Sequence, residues 1–277
     1  MLRVPFRRLA VSSAILCALS ASAVHAGAVH DANLFTNTAN LQNDGSTGAV
    51  NIGFSANFFG STYTQLYVNE NGNVSFLGPL STWSPFSLLT TSIPMIAPFF
   101  ADVDTSNAAS AGVTYGSGTV NGRNVFGVNW VSTDGTTGVG YWNSKVDKRN
   151  KFQLILTDRS DVAAGDFDIE FNYDQILWET GDASGGINGL GGNPSARAGW
   201  SNGSPVHSSE LAGSAINGAF IDGGPNALIS NSLNSQVAGQ YIFQVRNRAV
   251  VTVPEPASIA LLGLALAGLG AARRRKV

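Results

Sequence analysis

The sequence is almost free of cysteine and poor in charge. Its 277 residues include one cysteine, Cys17, and only 12% are Asp, Glu, Lys or Arg, whereas soluble domains average about a quarter. Cys17 lies inside an N-terminal apolar segment. The remaining chain can therefore form neither disulfides nor a cysteine-ligated zinc site, and packing must stabilise it.

Basic residues and histidines are scarce outside the two ends of the chain. Without the first 26 and the last 24 residues, nine Lys or Arg stand against 17 Asp or Glu, a net charge of −8. Because phosphate contacts need a basic face, this acidic centre argues against nucleic acid or anionic lipid as a partner. Only His30 and His207 follow the N-terminal segment, which leaves little for general-base or zinc chemistry.

Long segments with helical periodicity are also missing from the central part. Glycine is abundant, at 32 residues, and roughly ten short apolar segments alternate with turn residues. This spacing predicts an all-β fold, a single antiparallel β-sandwich-like domain. We place it at residues 50–249, after a loose polar lead-in at 27–49.

The clearest strand pattern lies in residues 66–104. Apolar and polar residues alternate on both sides of Asn71-Gly72, which predicts a hairpin with a two-residue turn. The apolar run at 95–100 predicts a strand near the core, ended by Asp102. Asn121-Gly122 predicts a second hairpin.

Two further segments carry charge in a recognisable pattern. In 166–174, four apolar residues alternate with polar ones, which predicts a strand with one buried face and with Asp168 and Glu170 in solvent. The basic residues of 145–151 are interpreted as a solvated loop.

Asp102 and Asp104 are the candidate metal ligands. Carboxylate oxygens suit Ca²⁺, and Asn69 or Asn71 could add an amide oxygen. The alternative is that both aspartates end a strand and cap a turn. The glycine-rich stretch 181–194 lacks the lysine and the following helix of a phosphate-binding loop, so no other cofactor is expected.

Two sequence patterns suggest other functions, namely hydrolysis and sugar binding. Gly199-Trp200-Ser201-Asn202-Gly203 matches the G-x-S-x-G pattern of serine hydrolases, with His207 close by, but that pattern needs a strand–turn–helix context that this chain lacks. Exposed tryptophans could instead stack on sugar rings. The candidates are Trp83, Trp142 and Trp178, although a tryptophan of this kind more often belongs to the core.

The N-terminus carries an export signal. Residues 1–26 combine three arginines, an apolar stretch and the small-residue site Val24-His25-Ala26. These features predict a signal peptide that signal peptidase cleaves between Ala26 and Gly27.

Residues 250–277 form a second targeting segment. Pro254, Glu255 and Pro256 precede an uncharged run at 257–272, which is a candidate transmembrane helix. A basic cluster follows that would hold the end of the chain on the cytoplasmic side: Arg273, Arg274, Arg275 and Lys276. The segment resembles the PEP-CTERM sorting signal of Gram-negative bacteria, which implies recognition and processing by an exosortase.

The centre of the chain resembles the nidogen-like, or NIDO, domain of extracellular matrix and adhesion proteins. The residues that carry the resemblance are 54–60, 67–76, 96–104, 150–156, 171–178 and 198–200. One departure is Phe100, where the family often has tryptophan. The resemblance implies adhesion or matrix association outside the cell.

These observations together predict an exported, non-enzymatic protein of the cell surface or the extracellular matrix. It would pass through the inner membrane before its tail is processed. The expected ligand is an extracellular polysaccharide or a matrix protein, and exopolysaccharide or biofilm association is the expected role. A carbohydrate-binding module for exopolysaccharide is the alternative, and a serine hydrolase is a weaker one.

Overall fold

The computed structural model describes residues 27–39 and 43–251. Its strands, in chain order, are β1 (Asn37–Thr38), β2 (Val50–Phe58), β3 (Ser61–Asn69), β4 (Asn73–Ser75), β5 (Pro94–Phe100), β6 (Val103–Asp104), β7 (Thr114–Val120), β8 (Arg123–Trp130), β9 (Val139–Tyr141), β10 (Lys145–Asp158), β11 (Phe167–Gln175), β12 (Arg197–Asn202), β13 (Ser208–Glu210), β14 (Gln240–Arg246) and β15 (Ala249–Val251). Two short 3-10 turns, Ala32–Leu34 and Asp182–Ser184, complete the regular structure of these ranges.

The strands form two antiparallel sheets. The first has nine strands in the order β1-β7-β8-β10-β11-β14-β15, with β9 pairing β10 and β6 pairing β9. The second has six strands in the order β13-β12-β5-β4-β3-β2. The prediction of an all-β antiparallel fold is confirmed.

Aromatic side chains join the two sheets. Phe99 of β5 lies 5.3 Å, ring centre to ring centre, from Phe152 of β10. Phe58 of β2 lies 6.0 Å from Phe167 of β11. All four are buried in one cluster between the sheets. Burial of such rings is a large stabilising term, as a chain without disulfides requires.

The turn between β7 and β8 follows its local sequence. Val120 pairs with Arg123, so Asn121 and Gly122 form a two-residue loop with φ values of 49° and 75°. Two positive φ values match a type I′ turn, whose twist fits antiparallel strands. This second hairpin is confirmed.

Strand β11 has the predicted buried face but not the predicted solvated one. Its apolar side chains are all buried: Phe167, Ile169, Phe171 and Tyr173. On the opposite face, Asp168 accepts a hydrogen bond from Arg159 at 2.9 Å and lies 2.5 Å from Arg246 Nη2. The expectation that Asp168 faces solvent is wrong, because long-range cations cover it.

Glu170 is covered in the same way. His30 Nε2 lies 2.7 Å from Glu170 Oε1, and this hydrogen bond raises the pKa of His30. Gln240 also donates to Glu170 at 2.7 Å. The expectation that Glu170 faces solvent is therefore also wrong.

The lead-in packs against the outer face of the first sheet. Phe35 is fully buried in a small cluster with Val125 and Ile155. Gly127 makes room for its ring, since a Cβ there would lie 2.1 Å from the ring edge. The lead-in is therefore not loose.

The basic segment 145–151 is not a loop. It forms the first half of β10, in which Lys145 pairs with Tyr141 and Asn150 with Val139. The prediction failed because these residues lack apolar alternation. Pairing with β9, and not burial, places them in a strand.

Within 27–39 and 43–251, no helix has the length and hydropathy needed to cross a bilayer. The predicted signal peptide at 1–26 and the predicted transmembrane helix at 257–272 lie outside the described residues.

Truncation of one ring on the buried face of β11 should destabilise the domain strongly. Phe171 contacts Phe243 at 5.3 Å and is fully buried. Phe171→Ala should lower the free energy of unfolding by about 3–5 kcal/mol, as measured by urea denaturation. Val162→Ala is the control, because that side chain is 55% exposed and should change stability by about 0.5 kcal/mol or less. Equal effects would contradict the assigned core.

Candidate functional site

Five carboxylates from separate parts of the chain meet at one end of the two sheets. We call them the acidic cluster: Asp44, Glu70, Asp102, Asp104 and Asp182. Burial raises the pKa of Asp102 to about 7, with further contributions from the negative charges of the other four members. Contacts place them in one region, because Asn71, next to Glu70, donates to Asp44, and Gly181, next to Asp182, packs against Asp102.

The hairpin between β3 and β4 delivers the centre of this site. Asn69 pairs with Asn73, so the loop has three residues, 70–72, and not the two predicted from Asn71-Gly72. Gly72 alone needs a positive φ, 71°. A Cβ on it would lie 1.7 Å from the carbonyl oxygen of Phe99. Only glycine lets the loop approach β5 this closely.

Asp102 lies directly after β5 and is buried. Its side chain is 1% exposed, and neither carboxylate oxygen has a hydrogen-bond partner. Gly181 packs against it, since a Cβ there would lie 2.2 Å from Oδ2. The backbone carbonyl oxygen of Asp102 accepts a hydrogen bond from the Trp142 amide at 3.2 Å. A buried carboxylate without partners is energetically unfavourable unless a proton or a cation compensates it.

Asn71 supplies an oriented amide oxygen to the same region. Its Nδ2 donates to Asp44 Oδ1 at 2.8 Å and to the Thr82 carbonyl at 3.3 Å. Because both partners are acceptors, the side-chain atom that faces them must be the amide nitrogen. The amide oxygen Oδ1 therefore points the other way. That oxygen is buried and has no partner.

Asp104 and Asn69 have different surroundings. Asp104 Oδ1 accepts from the amide and the hydroxyl of Ser106, and Oδ2 accepts from the Ser144 amide at 2.7 Å. This is the turn-capping arrangement that the sequence offered as the alternative to metal binding. Asn69 Oδ1 accepts from Ser46 and Leu80.

Glu70 anchors loops to the hairpin. Its Oε1 accepts from both the amide and the hydroxyl of Thr105, and its Oε2 accepts from the Gly45 amide at 3.3 Å. Burial raises its pKa, and these hydrogen bonds oppose that effect.

Asp182 brings in the glycine-rich loop. Its Oδ2 forms an ion pair with Lys145, whereas its Oδ1 is buried without a partner. The sequence contained no local signal for Asp44 or Asp182. The approach of their loops could be seen only in the folded chain.

Ready-made metal cages of the usual kind are missing from the described part of the chain. No group of three or more His, Cys, Asp or Glu side chains there is arranged to hold an ion. Any cation at the acidic cluster would need amide oxygens in addition to carboxylates.

The candidate sugar-stacking tryptophans differ in exposure. Trp178 is fully buried and belongs to the core, whereas Trp83 is 45% exposed and Trp142 is partly buried. The backbones of Trp83 and Trp142 adjoin the acidic cluster. Trp83 follows the carbonyl that accepts from Asn71, and the Trp142 amide donates to Asp102.

Ser201 and His207 lie near the other end of β5, where Ser201 pairs with Met95. Ser201 is buried within β12, and its hydroxyl accepts from the Gly203 amide at 3.1 Å. The His207 ring stacks on Phe59 at 4.6 Å. Strand β12 continues into a turn and then β13, so the strand–turn–helix context of a nucleophile elbow does not occur at this position.

Of the predicted processing residues, only Gly27 is described, and it lies beside the Asp174 carboxylate. The others lie outside the described residues: Ala26, Pro254, Glu255, Pro256, Arg273, Arg274, Arg275 and Lys276.

Fold and site together define a two-sheet β domain with a polar loop cluster at one end. The NIDO-related family model matches residues 23–227, and the chain belongs to this family. The match includes the lead-in that carries Asp44. A PEP-CTERM protein-sorting motif matches residues 252–276, which marks an exported protein processed by an exosortase.

Alpha-tectorins are among the similar proteins. The human protein is 30% identical over 233 residues and the mouse protein 31% identical over 229. Each alignment covers 75% of this chain and 10% of the tectorin, so the chain spans about a tenth of the length of these relatives. No solved structure matches the chain.

A matched pair of glycine substitutions tests the close approach of the hairpin loop. Gly72 and Gly122 have similar φ values, 71° and 75°, but a Cβ at 122 would meet nothing within 4 Å. Gly122→Ala should cost only the left-handed backbone term of about 1–2 kcal/mol. Gly72→Ala should cost clearly more, because the loop must leave Phe99. Thermal unfolding of both variants measures the difference, and equal losses would contradict the approach.

Proposed function

We propose that this protein is a non-enzymatic matrix-association module of the bacterial cell surface. The combination of a NIDO-related domain with a PEP-CTERM motif on one chain carries the proposal. The resemblance to NIDO domains implies adhesion, and PEP-CTERM systems accompany exopolysaccharide production. The expected role is therefore adhesion within the cell's own exopolysaccharide or biofilm matrix.

The non-enzymatic part of the proposal is supported by the chemistry of the described residues. The G-x-S-x-G serine is enclosed in a strand and is hydrogen-bonded locally. Both described histidines are engaged elsewhere, His30 with Glu170 and His207 with Phe59. General-base catalysis needs such a group within reach of its nucleophile.

Exopolysaccharide binding is the second candidate, and the position of Trp83 favours it. Its ring is nearly half exposed beside loops that carry oriented carboxylates and amides. Sugar-binding sites combine an aromatic face with polar groups that fix orientation. The loop cluster around Asp102 is the proposed binding face.

Maturation would proceed through an inner-membrane intermediate. The uncharged run 257–272 and the basic cluster after it would hold the chain in the membrane until an exosortase acts. After cleavage, the β domain would leave for the cell surface or the medium.

Substitution of the processing box tests the sorting step. The triple variant Pro254→Ala, Glu255→Ala, Pro256→Ala should accumulate as an uncleaved inner-membrane form, as should the wild-type protein in cells without the exosortase. Fractionation and mass spectrometry of the C-terminus measure both. Ser258→Ala, just beyond the box, should mature normally. Maturation of the triple variant at the wild-type rate would contradict the proposal.

Truncation of Trp83 tests the glycan alternative. Trp83→Ala should weaken binding to the purified exopolysaccharide of the producing strain by about tenfold, the effect of losing an aromatic hot spot. Val206→Ala is the control, because this 80% exposed residue lies on the turn between β12 and β13. Quenching of tryptophan fluorescence gives the affinities. No binding by the wild-type protein would leave a matrix protein as the expected ligand.

A further inference from the structure

Among the described residues of this region, four buried oxygens lack any protein donor, three of them in the acidic cluster and one on the neighbouring Asn71. Asp102 contributes two, Asn71 one, and Asp182 Oδ1 the fourth. Asp102 and Asn71 are each 1% exposed. An unpartnered buried acceptor costs about 1–3 kcal/mol, and more when it is charged. Several such acceptors in one region indicate a missing positive partner and not a random packing defect.

The donors nearby are already used in other directions. Asn71 Nδ2 donates to Asp44 and Thr82, and the Ser106 hydroxyl donates to Asp104. Lys145, the cation at the edge, binds the other oxygen of Asp182. The excess negative charge of the cluster thus remains uncompensated.

We propose that Asp102 and Asn71 bind a calcium ion, with Asp182 as a further oxygen ligand. This inference does not depend on the proposed function. Asp102 can supply two oxygens, Asn71 one and Asp182 one. Calcium takes six to eight oxygens, so water would complete the shell.

The donor set selects this ion. All proposed ligands are hard oxygens, which suit calcium and magnesium but not zinc or copper. Calcium tolerates mixed carboxylate and amide ligands in irregular geometry, whereas magnesium demands a near-ideal octahedron and retains its water. A set of two carboxylates and one amide oxygen also agrees with the lack of a group of three acidic side chains arranged to hold an ion among the described residues.

The proposed ion would join three segments that are distant in sequence. Asn71 lies in the β3–β4 loop, Asp102 after β5, and Asp182 in the loop before β12. Since each segment would otherwise need its own packing, the ion would act as a cross-link in a chain without disulfides. It would also fix the loops beside Trp83.

Calcium titration of the purified exported protein tests the site. Calorimetry with calcium chloride should find one ion per chain, with a Kd of about 0.1–1 mM, the range of extracellular modules. At 10 mM calcium, the Tm should rise by about 5–10 °C, and the chelator EGTA should reverse it. Magnesium at the same concentration should have a smaller effect.

Two substitutions should change the affinity in opposite directions. Asp102→Asn, or Asp182→Asn if the first does not fold, should weaken calcium binding at least about tenfold, since a charged ligand becomes neutral. Lys145→Met should tighten it by roughly threefold, because a nearby positive charge is removed. A merely structural ion pair would give no such gain. Asp161→Asn, an exposed acid in the β10–β11 turn, should leave the affinity unchanged.

Two outcomes would overturn the proposal. One is the lack of calcium binding together with a Tm that EGTA and calcium leave unchanged. The other is an Asp102→Asn or Asp182→Asn variant that binds calcium with the wild-type affinity, which would show that the ion is held elsewhere.

Discussion

The acidic cluster depends on the contacts that hold the β3–β4 loop between the two sheets. The Phe99 amide donates to the Gly72 carbonyl at 3.1 Å, and the Trp130 indole donates to the Glu70 carbonyl at 2.8 Å. Phe99 belongs to the second sheet and Trp130 to the first. The loop is therefore bonded to both sheets, and any shift of one sheet relative to the other would move Asn71.

The outer face of the first sheet is covered by other parts of the chain and is not left in solvent. The lead-in buries Phe35 against the first sheet, and His30 caps Glu170. The chain has few charged residues, and most of those on β11 have a partner.

The candidate binding face combines three kinds of group at the loop end of the domain. Trp83 offers an exposed ring, the acidic cluster offers oxygens, and the glycine-rich loop closes around Asp182. Membership in the NIDO-related family and the sorting motif place this face on an exported chain. The proposed calcium ion and the proposed glycan contact involve the same loops, and different variants, Asp102→Asn and Trp83→Ala, test them.

Local patterns alone determined the strands with two-residue periodicity, the Asn121-Gly122 turn and the sorting segment, because each depends on neighbours in sequence. Asp102 was recognisable as a polar residue that ends an apolar strand. Only the tertiary structure decided that Asp104 caps a turn, that Asp182 joins the cluster, and that Asp168 and Glu170 are covered. Those outcomes depend on which distant segments pack together, and a single residue's chemistry does not encode its long-range partner.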